Sequence, residues 1–166
     1  MNKRISFAAT LLLCCLFSFS QHDSSAPYLR FPTVPPFKIL KVDSMGYYTK
    51  ADLKSKRPVL FILFNPDCEH CQHETEQIIS RMEDFKKIQI VMATSMSFAA
   101  MKNFYQKYDI GRFDNIFMGQ DFQYVLPSFF MIRNLPYLAM YDKKGKLLTT
   151  FEGTMSMDDI LNKFKN

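Results

Sequence analysis

Two rhythms of apolar residues run along the chain. Val59 to Phe64 is continuously apolar with no polar alternation, the pattern of a strand buried on both faces, and Ile88 to Ala93 repeats it. Between them Ile78, Ile79, Met82 and Phe85 recur at helical spacing, predicting a helix that opens at Cys68 and ends near Lys86. Ser97 is suited to cap a second helix, in which Phe98, Met101, Tyr105 and Tyr108 share a face and which Ile110 and Gly111 close. Ile116 to Met118 reads as a short strand, and Gly119 to Asn134 carries no clear period. Two strands, Tyr137 to Tyr141 and Lys146 to Phe151, flank the hairpin signal Asp142 to Gly145. A last helix spans Ser156 to Lys165; Ser156 and Asp159 have capping-box spacing, and Ile160, Leu161 and Phe164 form its apolar face. Ahead of this series, Phe37 to Val42 and Tyr47 to Thr49 read as strands around a turn at Asp43 to Gly46. The order is βαβα followed by ββα, an α/β chain without internal repeats.

The N-terminus has a different character. Lys3 and Arg4 precede the apolar stretch Ile5 to Phe19, and Ser18 to Ser20 offers a small-x-small cleavage site, so residues 1–20 read as an export signal peptide. Left uncleaved, or lipidated at Cys14 or Cys15, the same stretch would anchor the chain to a membrane. Residues 21–36 are rich in Ser and Pro and read as an extended or disordered linker. Residues 37–166 form one domain, long enough for a core of its own. Net charge is +5 for the whole chain, and removing Lys3 and Arg4 leaves 19 basic against 16 acidic residues, or +3. No basic stripe is interleaved with aromatics, so nucleic acid is not an expected partner. Lys54, Lys56 and Arg57, like Lys143, Lys144 and Lys146, read as solvated turns. The aromatics between Phe113 and Phe130 read mainly as core, with an exposed subset available to a client.

Four cysteines change the picture. Cys14 and Cys15 lie in the leader, leaving Cys68 and Cys71 as the thiols of the exported chain. A bridge three positions apart closes too short a loop to stabilise a fold appreciably, so the pair is expected to serve reactivity. A strand that delivers Cys-x-x-Cys to a helix N-terminus is the layout of a thiol–disulfide redox site. The helix's free N–H groups and dipole favour negative charge on the first cysteine, and only the thiolate attacks a disulfide. Cys68, at the turn, is therefore the expected nucleophile. Cys71, within the first helical turn, is the expected resolving thiol. Glu69 and His70 tune the pair in opposite directions: a protonated His70 stabilises thiolate, and Glu69 opposes it.

Two other chemistries use related residues. Cys68 and Cys71 with His70 or His73 would suit Cu(I) or zinc, making the chain a metal carrier. Against that, the pair opens a helix, and no remote His–Cys set accompanies it. A peroxidase of the peroxiredoxin type needs Thr or Ser three residues before its cysteine, where this chain has Asn65.

The motif run Phe61 to Cys71, Glu74 three residues beyond the second cysteine, Leu135-Pro136 before a strand, and Tyr141 to Lys146 followed by Gly153 resemble the thioredoxin superfamily. Within it, the extra N-terminal strands are similar to those of the TlpA/ResA-like extracytoplasmic thiol–disulfide oxidoreductases. The resemblance covers residues 37–166 and implies a thioredoxin-like fold, a central mixed sheet flanked by helices. It implies that Glu74 aids proton transfer at Cys71, and that Leu135 and Pro136, with Pro136 as the cis-proline, line the site for an incoming peptide. It implies no cofactor or metal beyond the Cys68–Cys71 disulfide. The expected partners are client proteins carrying thiols or disulfides and an upstream protein that resets the pair, in the periplasm or cell envelope. Asp67 stands where these proteins usually carry an aromatic, Ile62 replaces the buried carboxylate of plain thioredoxin, and Leu135 replaces a small or β-branched residue.

Overall fold

The computed structural model describes residues 26–165; the expected leader, its cleavage site and linker residues 21–25 lie outside them. Seven strands form one mixed sheet in the order β2-β1-β5-β4-β3-β6-β7. They are β1 (Lys38–Lys41), β2 (Tyr47–Thr49), β3 (Val59–Leu63), β4 (Gln89–Thr94), β5 (Ile116–Gln120), β6 (Tyr137–Tyr141) and β7 (Leu147–Glu152). β3, β4 and β5 run parallel, β6 pairs antiparallel with β3, and β7 pairs antiparallel with β6. β1 pairs antiparallel with β5, so the two extra strands extend the sheet at the edge away from β7.

Every residue of β3 is buried because helices or loops cover both faces of the sheet. Alternation along the strand divides the core. Leu60 and Ile62 pack with side chains of α2 (Glu69–Ser80), α3 (Met82–Phe85), α4 (Phe98–Lys107) and α6 (Met157–Lys163). Val59, Phe61 and Leu63 pack on the opposite face, against Leu126 and Phe130 of α5 (Val125–Phe130) and against Val34 and Phe37.

Two expectations are corrected, and the shared face of α4 is found with Phe104 added to it. The helix expected to reach Lys86 breaks at Arg81 into α2 and α3. The apolar period survives the break because Ile78, Met82 and Phe85 still enter one core. On α4 the buried residues are Met101 and Phe104, while Phe98, Tyr105 and Tyr108 are only partly covered. The described part of the expected linker is neither wholly extended nor detached. α1 (Pro27–Arg30) is a helical turn, Thr33 bridges Lys146, and Val34 is buried, its N–H donating to the Gly145 carbonyl.

Candidate active site

The site is built at the C-terminal end of β3. Asn65, Pro66 and Asp67 turn the chain into α2, and local hydrogen bonds fix that turn. The Asp67 N–H donates to Asn65 Oδ1 at 2.9 Å, the Cys68 N–H to the Asn65 carbonyl at 3.1 Å, and Gln72 Nε2 to the Pro66 carbonyl at 2.8 Å. Lys107 Nζ of α4 in turn donates to Gln72 Oε1 at 3.2 Å.

Cys68 is the N-cap residue of α2 and is half-buried. No side chain caps this end, so the first-turn N–H groups remain available to a negative charge. Cys71 lies in the first turn, 1% exposed, and both cysteines are free thiols. Burial pushes the Cys71 thiol up to about 12, with neighbouring Cys68 and Glu74 adding to the rise and a hydrogen bond from the Asn65 backbone offsetting part of it.

Glu74, one turn beyond Cys71 on the same face, is 1% exposed. The Met155 N–H donates to its Oε2 at 3.2 Å, and Oε1 has no partner. Burial raises the carboxyl to about 7, against the lowering effect of the Met155 bond. A carboxylic acid in this state exchanges its proton near neutral pH, directly beside a thiol that holds its own.

The Leu135–Pro136 peptide is cis, as the resemblance implies. Pro136 immediately precedes β6, whose Tyr137 is in register with Leu63 at the end of the redox strand. The Pro136 carbonyl accepts from the Gly153 N–H at 2.8 Å. Leu135 packs against both halves of the core, the one that includes Cys68 and the one beneath α5. Beside it a cavity of about 270 Å³ is lined by Phe64, Met96, Tyr124, Ile132 and Leu135. Of the aromatics expected mainly in the core, Phe130 is buried and Phe113, Phe117 and Phe129 are half-buried, but Phe122 and Tyr124 are exposed.

Glu69 and His70 are exposed on the first turn of α2, and His73 is exposed on the second. The structure therefore brings Cys68, Cys71 and Glu74 together along one helix and leaves Glu69 and His70 at its solvent side. The residues that sequence reasoning missed are Gln72, whose amide ties the turn, and Met155, whose backbone holds Glu74. Gln72 adjoins the motif and could have been suspected; Met155 is 81 positions from Glu74 and carries no local signal.

Sheet order, redox turn and cis peptide together define a thioredoxin-like protein with its cysteine pair at the usual strand-to-helix junction. No family model and no curated protein sequence matches the chain. Solved structures do. The exposed lipoprotein thioredoxin of Streptococcus pneumoniae is 27% identical, with a TM-score of 0.60 over 79% of this chain and 98% of that one. A secreted Mycobacterium tuberculosis disulfide oxidoreductase homologous to E. coli DsbE is 18% identical, TM-score 0.64, covering 77% and 93%. The peroxidoxin BcpB of M. tuberculosis is as near in fold, 18% identical with a TM-score of 0.66 over 80% and 94%. The fold is thus thioredoxin-like, and the side chains at the site must decide between the chemistries it carries.

Proposed function

We propose that this chain is an exported thiol–disulfide oxidoreductase that exchanges electrons with protein cysteines through a reversible Cys68–Cys71 disulfide. The observation that carries this reading is a half-buried Cys68 at an uncapped helix N-terminus, with a buried Cys71 beneath it and a buried Glu74 one turn further on. In the reducing direction the Cys68 thiolate attacks a client disulfide. One client sulfur joins Cys68 in a mixed disulfide, and the other leaves as a thiolate that takes up a proton. Cys71 then loses its proton and attacks Cys68 Sγ. The mixed disulfide breaks, the Cys68–Cys71 bond forms, and the client leaves reduced by two electrons. The upstream partner restores the dithiol by the reverse exchange.

Glu74 is the proton acceptor for Cys71. In the resting dithiol, burial and the neighbouring Cys68 hold the Cys71 proton in place. Mixed-disulfide formation removes the Cys68 charge and leaves Glu74 as the adjacent base. We assign Leu135 and the cis Pro136, which lead into β6 beside the end of β3 that precedes the thiols, to binding an extended client, and the 270 Å³ cavity beside Leu135 to an apolar side chain of that client. Glu69 and His70, both solvent-facing, adjust the potential weakly.

A zinc carrier would need further donors beside the two sulfurs. Among the described residues no three His, Cys, Asp or Glu side chains are grouped to hold an ion. For a peroxidase, Asn65 lacks the hydroxyl that stands three residues before a peroxidatic cysteine. Export to the periplasm or cell envelope is supported by the leader pattern and by the secreted and exposed proteins among the structural neighbours.

Trapping tests the reading. Cys71→Ser should accumulate mixed disulfides with envelope proteins through Cys68, visible as dithiothreitol-sensitive bands on a non-reducing gel. Cys68→Ser should accumulate far fewer. Equal trapping by both variants contradicts the assigned roles.

A further inference from the structure

The two basic runs that look like separate solvated turns in the sequence meet at one end of the folded molecule. Lys56 and Arg57 precede β3, Lys143 sits in the β6–β7 hairpin, and Lys87 precedes β4. All four are exposed and rim one cleft of about 650 Å³, with Lys165 at its edge. Pro58, Ile88, Leu161 and Phe164 form its apolar floor. The side chains lining it include six cations, counting Arg81, and two acids, Asp84 and Asp158, a balance of +4. Both acids are already held by Arg81, at 2.8 and 2.6 Å. Among the described residues, Lys56, Arg57, Lys87 and Lys143 have no ion-pair partner.

We infer that this cleft docks an acidic polypeptide segment that places one apolar side chain on the floor and its carboxylates on the Lys56, Arg57, Lys87 and Lys143 rim. Charge complementarity selects an anion, since four unpaired cations around one concavity repel one another until a partner neutralises them. The recessed floor selects a peptide over a membrane. Pro58 and Ile88 are buried and Leu161 and Phe164 half-buried, and none of the large exposed apolar side chains lines this cleft. A membrane-binding face needs projecting apolar groups. Nucleic acid would need stacking aromatics, and Phe164 is the single ring here. The volume lies within the range of binding clefts, enough for one large side chain and adjoining backbone. β3 separates this end from the thiol pair by roughly 17 Å at about 3.3 Å per residue, so a docked segment leaves Cys68 open to a second molecule.

Fluorescence anisotropy on the full chain tests this with a labelled peptide of glutamates around a single leucine. The peptide should bind, weaken steeply with added salt, and bind better than an all-glutamate peptide of equal length. Lys56→Glu with Lys143→Glu should weaken it by about tenfold or more. Lys41→Glu with Lys102→Glu, which changes net charge equally at another site, should weaken it less than about threefold. Circular dichroism and the rate of Cys68 alkylation should match the parent in both variants, showing the fold intact. Equal losses in the two double variants, equal binding of the all-glutamate peptide, or tighter binding to phosphatidylglycerol vesicles than to the peptide would each overturn the inference.

Discussion

Glu74 is a buried carboxyl with one hydrogen-bonded oxygen and one orphan, a costly arrangement unless the group is protonated for part of its working cycle. Its folded pKa is raised from 4.5 to about 7. Between those values the folded chain keeps a proton that the unfolded chain has released. The stability linked to protonated Glu74 is therefore full below about 4.5 and lost as pH rises through about 7. Glu74→Gln should match the parent in urea denaturation at acidic pH and exceed it by ~2–3 kcal/mol at about pH 8. Exchange should move the opposite way. The parent's rate of mixed-disulfide resolution should rise as Glu74 ionises, and the variant should lose that inflection and run about tenfold slower above it. Unchanged stability and an unchanged pH profile would make Glu74 a structural carboxylate. The placement of Cys68, Cys71 and Glu74 along α2 was legible from helix spacing, whereas the part given to Glu74 came from the resemblance. The exposed positions of Glu69 and His70 were not legible, because the side that faces solvent depends on what α4 and β3 cover.

At the scale of elements, continuous apolar runs and capping signals located β3, β4, β6 and α6 within a residue or two. Ser97 and Ser156 cap their helices as their spacing implied, accepting from the Ala100 and Asp159 N–H groups at 3.2 and 3.1 Å. α5 was illegible for a physical reason. It is only six residues long and is bounded by left-handed Tyr124 and Met131. Its start is held by buried Asp121, which accepts from the Val125 and Leu126 N–H groups at 3.2 and 2.8 Å. The break at Arg81 was equally hidden, since that residue's tie to Asp158 is tertiary and only its tie to Asp84 is local. β1 depends on a close approach to β5. A Cβ on Gly119 would meet the Leu40 carbonyl oxygen at 2.7 Å and Ile39 Cγ1 at 2.9 Å. Backbone cannot yield as a flexible side chain does, so Gly119→Ala should cost ~1–3 kcal/mol. Hydrogen exchange should speed up first in residues 38–49; uniform change across the sheet, or none, would contradict this account of the edge.

The whole molecule is larger than the expected domain. Residues 26–36 close the sheet face beneath β3 and β6, with Tyr28 against Phe130 at 5.9 Å between ring centroids and the Leu147 N–H donating to the Pro32 carbonyl at 2.8 Å. Their prolines, with the serines just ahead of them, suggested a linker because composition reports the absence of a regular period, and a segment that docks irregularly has none. A chain starting at Phe37 should be less stable in urea than one starting at Ala26 by several kcal/mol, since burying Val34 alone is worth ~1.5–3 kcal/mol. Equal midpoints and slopes for the two would return the segment to linker status. Around this frame the charged cleft and the thiols lie at opposite ends of β3, so the proposed docking and the proposed exchange can be varied independently. The most direct test of the exchange itself is a redox titration of the chain from Gln21 onward, whose only cysteines are Cys68 and Cys71, against glutathione buffers with thiols counted after acid quench. Both thiols should disappear together in one reversible transition with the slope of a two-electron couple, yielding an intramolecular disulfide. Thiols that persist in oxidised glutathione, or that are lost one at a time as glutathione adducts, would contradict the Cys68–Cys71 redox pair.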